Sequence, residues 1–418
     1  MKLPVAVVAA LTAALLAVPA TASAAAPTCF GKRATIVGTK GADRLVGTDA
    51  ADVIVGRGGK DVIKAGRGND LICGDSGADR LYGGGGHDRI DGGFGTYVAD
   101  QGPPTHGPDV LHDVIWPGSG NDVIRPGYDN RVVNARRDRI VYSDAPKAVT
   151  VDVARHQVTG HGRDRIVPRP GGKAAVVAYV GSRFADRMIG GAGRDDFDGG
   201  RGGDTLRGNG GADTLADGPS YYWSTDQDRD TLDGGAGHDT VYAGGGRDSL
   251  VGGDGSDALY DFGRSADRIS AGPGSDRVED YWVLSAGSAV SGGSGRDDVT
   301  LRPRLRSGDT ARLTVDLRSG SSRLVGRTTV TARLSGVEDL TVRDMSLRFH
   351  GTGADDIVSN FGFGIRLVAN GYAGDDVFFA DGGNDVVDGA GGEDSAHVGG
   401  GQDRCVAIEN AFDCESNG

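Results

Sequence analysis

The sequence has few of the large side chains from which an ordinary protein core is built. Aromatic residues make up 6% of the chain, and only 3 of the 418 residues are methionine. With only 14 prolines and no strict G-X-Y period, the chain also lacks the signature of a collagen triple helix. The composition therefore predicts a narrow core and many turns rather than a conventional globular domain.

Long apolar runs are also scarce. The clearest one, Val5 to Val18, follows the basic residue Lys2 and precedes a small-residue stretch that ends at Ala26. This order is typical of a cleavable secretory signal, and the run is short for a bilayer core of ~30 Å. The sequence predicts a signal peptide over residues 1–26, a secreted, extracellular mature protein and no membrane span.

Basic residues are outnumbered by acidic ones. The chain has 45 Lys and Arg against 58 Asp and Glu, a formal net charge of −13. An acidic surface repels phosphate groups, so we expect no nucleic acid partner. Carboxylates that are crowded together need a counter-charge, which points to a bound cation.

Cysteine is rare but even in number, with Cys29, Cys73, Cys405 and Cys414. An even count in a secreted protein indicates two disulfides. Three pairings are possible, and nearness in the sequence favours Cys29–Cys73 and Cys405–Cys414. We expect these bonds to close the two ends of the structure.

Glycine, in contrast, is abundant, with 74 residues, and much of it recurs every nine residues. Residues 38–91 divide without a gap into GTKGADRLV, GTDAADVIV, GRGGKDVIK, AGRGNDLIC, GDSGADRLY and GGGGHDRID. The sixth residue of each block is aspartate and the eighth is a large aliphatic residue. Further blocks in the same register fill residues 181–216, 234–260 and 371–406.

Each position of the block has a physical role. The glycine-rich half allows the positive φ angles of a tight turn, and the aspartate offers the hard anionic oxygen that calcium prefers. The last three residues form a minimal strand whose apolar residue points inward. Two blocks make one coil of 18 residues, which can bury a core only by stacking on other coils. The predicted fold class is all-β, a parallel β-roll or β-solenoid of 18-residue coils built from paired nonapeptide repeats.

The period also determines which aspartates meet. Residues 18 apart lie about 4.8 Å from each other in neighbouring coils, as Asp43 would with Asp61 and Asp52 with Asp70. Such carboxylates repel each other unless a divalent cation lies between them, and calcium with 6–8 oxygen ligands suits this arrangement better than magnesium. The predicted calcium ligands are the sixth residues of all blocks: Asp43, Asp52, Asp61, Asp70, Asp79, Asp88, Asp186, Asp195, Asp204, Asp213, Asp239, Asp248, Asp257, Asp376, Asp385, Asp394 and Asp403.

The blocks resemble the RTX (repeats-in-toxin) calcium-binding β-roll, whose repeat is G-G-x-G-x-D-x-U-x. The best copies are GGGGHDRID at 83–91, GGAGRDDFD at 190–198 and GGAGHDTVY at 234–242. The resemblance implies that the sixth-position carboxylates and the turn carbonyls of adjacent coils chelate several Ca²⁺ ions. It also implies that the roll folds when it binds them.

The repeats are interrupted, and the chain divides into successive segments. After the signal peptide, we expect an N-terminal array at 27–93, a divergent connector at 94–180, a central array at 181–280, a second connector at 281–350, a C-terminal array at 351–406 and a disulfide-closed cap at 407–418. Strand-like alternation at 148–153 and 313–317 predicts that the connectors continue the solenoid as wider, calcium-poor coils. Isolated units remain around Asp122, Asp297 and Asp356.

No recognisable catalytic motif accompanies the repeats. The chain has neither an H-E-x-x-H zinc site nor a G-x-S-x-G elbow. We therefore expect a calcium-binding protein with a structural or surface-interaction role rather than an enzyme. The alternative is an extracellular carbohydrate-active enzyme of the lyase or epimerase kind, or an adhesin, on the same scaffold.

A polysaccharide at the cell surface or outside it is the partner that this alternative implies. Aromatic residues are concentrated at Trp116, Tyr221–Trp223 and Tyr281–Trp282, where sugar rings would stack. The favoured interpretation is instead that these rings cover apolar gaps where a coil bulges outward.

Overall fold

The computed structural model describes residues 26–95, 112–129, 137–168, 177–218, 227–281, 287–302, 312–325, 329–362, 365–414 and 416–417. Apart from Ala26, the predicted signal peptide lies outside the described residues. In the part of the chain that is described, we find no helix with the length and apolarity that a bilayer crossing requires.

Two sheets of mostly parallel strands face each other and enclose the core. The first sheet contains Ile36–Val37, Val53–Val55, Leu71–Cys73, Arg89–Asp91, Val123–Arg125, Thr150–Asp152, Gln157–Thr159, Arg163–Ile166, Arg187–Ile189, Thr205–Gly210, Thr231–Ala236, Ser249–Asp254, Arg268–Pro273, Ala289–Ser294, Arg312–Asp316, Ser321–Val325, Thr329–Ser335, Ser346–His350, Leu367–Asn370, Val386–Asp388, Arg404–Val406 and Ser416–Asn417. The second contains Arg44–Val46, Val62–Arg67, Arg80–Gly85, Val114–Ser119, Arg139–Val141, Ala178–Val180, Asp196–Asp198, Thr214–Ala216, Thr240–Ala243, Ala258–Asp261, Arg277–Asp280, Asp298–Leu301, Asp339–Arg343, Ile357–Phe361, Val377–Ala380, Ser395–His397 and Asn410–Phe412. Outside the two sheets, Thr28–Cys29 pairs with Lys32–Arg33 and Phe94–Gly95 pairs with Tyr128–Asp129.

The chain alternates between the two sheets, and where the blocks follow one another without a gap, neighbouring strands of one sheet are 18 residues apart. In the second sheet Leu45 lies opposite Ile63, and Ile63 lies opposite Leu81. In the first sheet Ile54 lies opposite Ile72. The predicted parallel solenoid of 18-residue coils is therefore confirmed.

The core is a single column formed by the eighth residues of the blocks. Ile54, Ile63, Phe197 and Phe378 are fully buried in it, whereas Leu45 in the first coil is partly buried. Each such side chain contributes about 1.5–3 kcal/mol through removal of apolar surface from water. A coil has only two of these residues, so its stability depends on the coils that cover it on either side.

The first connector continues both sheets but contains an antiparallel insertion. Thr150–Asp152, Gln157–Thr159 and Arg163–Ile166 form a three-stranded meander within the first sheet. Its outer strands pair in parallel with Val123–Arg125 on one side and Arg187–Ile189 on the other.

The second connector contains a similar antiparallel insertion of three strands. Arg312–Asp316, Ser321–Val325 and Thr329–Ser335 pair antiparallel, and their outer strands join Ala289–Ser294 and Ser346–His350 in parallel. The predicted strands at 148–153 and 313–317 are thus present, but the expectation of wider parallel coils missed the antiparallel pairs. An alternating pattern identifies a strand and leaves the direction of its partner open.

Both favoured disulfides are present, with Cα atoms 5.8 Å apart for Cys29–Cys73 and 6.0 Å apart for Cys405–Cys414. Cys405 is buried in the core at the eighth position, and the tail beyond it forms one more partial coil through Asn410–Phe412.

The N-terminal disulfide differs from the expectation that it would close the first coils from their end. Cys73 is the ninth residue of its block, so it faces away from the core. Cys29 packs there with Cys73 and Val55, in a small apolar cluster separate from the core column. The bond therefore fastens the N-terminal hairpin to the outer face of the first sheet.

Candidate metal centre

The sixth-position aspartates lie in two buried rows, one at the start of the strands of each sheet. Of the 17 predicted ligands, all except Asp43 are buried. A carboxylate in such a place loses its hydration, and this loss must be offset by hydrogen bonds or by a cation.

In most blocks one oxygen of the carboxylate accepts a hydrogen bond from the preceding coil. The Asp43 N–H donates to Asp61 Oδ1 at 2.8 Å, and the Asp52 N–H donates to Asp70 Oδ1 at 2.8 Å. The same contact joins Asp61 to Asp79 and Asp70 to Asp88. The predicted neighbours along each row are therefore confirmed, and the contact between them is an amide donating to a carboxylate.

The other oxygen, Oδ2, points towards the first residue of its own block. A Cβ atom built on Gly56 would lie 2.5 Å from Asp61 Oδ2, and one on Gly74 would lie 2.5 Å from Asp79 Oδ2. At these blocks the carboxylate occupies the space of a side chain, which favours glycine at the first position, although alanine or valine stands there at Ala65, Ala243, Ala380 and Val398. The positive-φ glycines are at the second and fourth positions, as at Gly84 and Gly86.

In most blocks this Oδ2 is buried and has no hydrogen-bond partner among the described residues. The predicted ligands with this property are Asp61, Asp70, Asp79, Asp88, Asp204, Asp213, Asp239, Asp248, Asp257, Asp376, Asp385, Asp394 and Asp403. A buried acceptor that no protein donor reaches is the environment that a bound cation would satisfy.

The other four predicted ligands are capped by their own turn. Thr39 Oγ1 donates to Asp43 Oδ2 at 2.9 Å, and Thr48 Oγ1 donates to Asp52 Oδ2 at 2.9 Å. The Ser182 N–H and hydroxyl bond Asp186, and the Gly191 N–H donates to Asp195 Oδ2 at 2.7 Å. These aspartates belong to the first coils of the N-terminal and central arrays, and their caps occupy the oxygen that is unpaired elsewhere.

Burial makes the uncapped carboxyls reluctant to ionise. It raises the pKa of Asp79 to about 7 and that of Asp204 to about 9, with further raising by neighbouring carboxylates such as Asp61 and Asp230. The backbone N–H bond to each carboxylate opposes the shift without cancelling it. Because the folded-state pKa exceeds the unfolded one, this contribution to stability is present below about pH 4 and is lost as the pH rises through about 6 to 9.

The donor set therefore fits a hard cation. It consists of oxygen atoms, it is concentrated in two rows, and its carboxylates repel one another when they are ionised. Calcium accepts 6–8 such oxygens in flexible geometry, whereas magnesium demands a near-ideal octahedron. Ligation by the individual predicted residues stays a prediction.

The rows extend beyond the predicted ligands. The Asp79 N–H donates to Asp113 Oδ1 at 2.8 Å, and the Asp113 N–H donates to Asp138 Oδ1 at 2.8 Å. Asp122, Asp297 and Asp356, singled out as isolated units, occupy equivalent positions, as do Asp164, Asp230, Asp267, Asp276, Glu338 and Glu409.

These additional residues were missed because loops of irregular length break the period of nine. A shorter signal, an acidic residue two before a buried core residue, is still present in Asp113-Val114-Ile115 and Asp138-Arg139-Ile140. At Asp164, the buried Tyr142 hydroxyl donates to Oδ2 at 3.0 Å. At this position of the row, the carboxylate oxygen therefore has a side-chain hydroxyl as its hydrogen-bond partner.

The aromatic rings in the described residues pack on each other. Tyr82 and Trp116 stack with centroids 4.4 Å apart, and Tyr242 and Tyr260 with centroids 5.1 Å apart. Tyr281 lies against Phe262 at 4.6 Å. The residues at 221–223 and Trp282 lie outside the described residues.

Comparison with known proteins gives one positive result. Residues 37–72, 73–98, 180–215, 224–259 and 369–405 match the family model of the RTX calcium-binding nonapeptide repeat (4 copies). No curated protein matches the chain. The matched segments fall almost entirely within the three arrays and contain all 17 predicted ligands.

Proposed function

Because this chain is built on RTX calcium-binding nonapeptide repeats, we propose that it is a secreted protein whose β-roll folds and becomes rigid on binding several calcium ions. The observation that carries the proposal is the set of buried carboxylate oxygens without a hydrogen-bond partner among the described residues. At neutral pH these charges oppose stacking of the coils, and a cation between successive turns converts the repulsion into attraction.

Secretion is supported by two features of the chain. The N-terminal residues 1–26 have the order of a cleavable signal, and the two disulfides suit an oxidising compartment. Calcium modules outside the cell bind at ~10⁻⁴–10⁻³ M, so a protein of this kind would remain unfolded where calcium is scarce and fold after export.

The role that we propose is structural or surface-interacting, and non-enzymatic. The ring stacks support the structural part, because rings such as Tyr242 and Tyr260 each cover one face of the other. An extracellular or cell-surface polysaccharide is the partner class we propose for the surface-interacting part.

Calcium binding itself is tested by calorimetric titration of the EGTA-treated, dialysed protein with calcium and, separately, with magnesium. We expect several calcium ions to bind per chain with apparent Kd values of ~10⁻⁴–10⁻³ M for most sites. Magnesium should give little heat at the same concentrations. Equal binding of both ions, or no binding of either, would overturn the proposal.

A further inference from the structure

At one place in the central array three carboxylates lie close together, whereas the repeat places only two sixth-position carboxylates side by side. Asp217, Asp230 and Asp248 each place an oxygen within 4.8 Å of the other two, and all three are buried. Asp230 and Asp248 are sixth-position residues of neighbouring coils, since the Asp230 N–H donates to Asp248 Oδ1 at 2.9 Å. The third carboxylate has no counterpart in the repeat.

Asp217 stands at the first position of its block, which is glycine at Gly208 and Gly234 and alanine at Ala243. At Gly208 and Gly234 a Cβ atom would lie 2.2 and 2.5 Å from the sixth-position carboxylate, so a side chain is excluded there. Asp217 precedes its sixth-position partner by 13 residues instead of five. The Asp217 side chain instead lies beside the carboxylates of Asp230 and Asp248.

The position of Asp217 is fixed by the adjacent coil. Its N–H donates to the Tyr242 carbonyl at 3.1 Å, and the Gly244 N–H donates to its Oδ2. These bonds join Asp217 to the chain segment that leads to Asp248, so the carboxylate is held in place by backbone groups.

Asp248 gives evidence for a bound cation that is independent of the clustering of the three carboxylates. Its side chain is 2% exposed, and its Oδ2 has no hydrogen-bond partner among the described residues. Since Oδ1 is already bonded to the Asp230 N–H, Oδ2 is the atom left for a cation between the three carboxylates.

We propose that Asp217, Asp230 and Asp248 form a three-carboxylate calcium site that binds more tightly than the two-carboxylate turns and fills first. This inference rests on the proposed function and goes beyond it, because the repeat does not provide Asp217. Calcium affinity rises with the number of charged ligands and the rigidity of the site, and both are greater here. A cation bound here would join the coils of the central array before the weaker sites are occupied.

The test is Asp217→Asn, titrated with calcium in competition with a fluorescent chelator. We expect wild type to show one site well separated from the rest, and the variant to bind its first calcium at least about tenfold more weakly. Asp217→Gly restores the repeat residue and should give the same loss, which guards against misfolding of the asparagine variant. Asp254→Asn, which removes an exposed charge from the same array, should leave the first affinity unchanged.

The outcomes separate this inference from the proposed function. If both Asp217 variants retain the affinity of wild type, Asp217 is no calcium ligand, while binding by the repeats still stands. If wild type shows no tight site, the inference is overturned in the same way. If no variant and no wild-type protein binds calcium, the proposed function fails as well. Circular dichroism at saturating calcium confirms that each variant is folded.

Discussion

Replacement of Gly237 by alanine is expected to destabilise the calcium-loaded protein by about 3 kcal/mol or more. Gly237 is the fourth residue of its block and has a φ of 145°, which side-chain-bearing residues rarely adopt. An added Cβ would lie 1.5 Å from the Gly211 carbonyl oxygen of the adjacent coil. Backbone strain costs about 1–3 kcal/mol and overpacking another 1–3 kcal/mol.

Gly193 provides the matched control for this experiment. It is also the fourth residue of a block in the central array, but nothing lies within 4 Å of its Cβ position. Gly193→Ala should therefore change the free energy of unfolding by less than about 1 kcal/mol. Urea denaturation of the two variants in calcium measures both values. Equal losses would show that the close approach of the turns is not what requires glycine.

Replacement of Asp79 by asparagine should change stability in opposite directions with and without calcium. With calcium the variant loses a charged ligand, and a tenfold weaker site costs about 1.4 kcal/mol. In EGTA at pH 8, a carboxyl whose pKa burial raises to about 7 is mostly ionised and destabilises the fold, so the neutral amide should increase the folded fraction, measured by the strand signal in circular dichroism.

Asp52→Asn is the control for the opposite effects on stability that are expected of Asp79→Asn with and without calcium. Asp52 lies in a row of the same kind, but its Oδ2 accepts hydrogen bonds from the Thr48 N–H at 2.7 Å and from the Thr48 hydroxyl. Its substitution should lower the stability of the folded state in both buffers, with a lower melting temperature in calcium and a smaller folded fraction in EGTA. If Asp79→Asn also lowers the stability in both buffers, Asp79 Oδ2 is not a calcium ligand.

The nine-residue period was sufficient to predict the fold and the rows of aspartates. A coil of 18 residues places Ile54 over Ile72 and Asp52 beside Asp70, because strand spacing and register leave no other choice. The disulfide Cys405–Cys414 followed from its nearness in the sequence and from the inward eighth position of Cys405.

What the period could not predict depends on distances between coils. Thr48 at the second position caps Asp52, whereas Arg57 at the same position leaves Asp61 Oδ2 without a hydrogen-bond partner among the described residues, and this difference becomes visible only in three dimensions. Asp113 and Asp138 join a row after loops of irregular length, which hide them from any fixed period. Cys73 faced outward, so its bond could not close the end of the solenoid as expected.

The central claim, that calcium neutralises the buried carboxylates and so permits the roll to fold, is tested most directly by circular dichroism. The purified mature protein is recorded at pH 8 in EGTA, then with calcium added stepwise to millimolar concentration, and then with magnesium instead. We predict a largely unfolded spectrum in EGTA, a cooperative gain of strand signal with calcium and no such gain with magnesium. The same strand signal and melting temperature in EGTA and in millimolar calcium would contradict the claim.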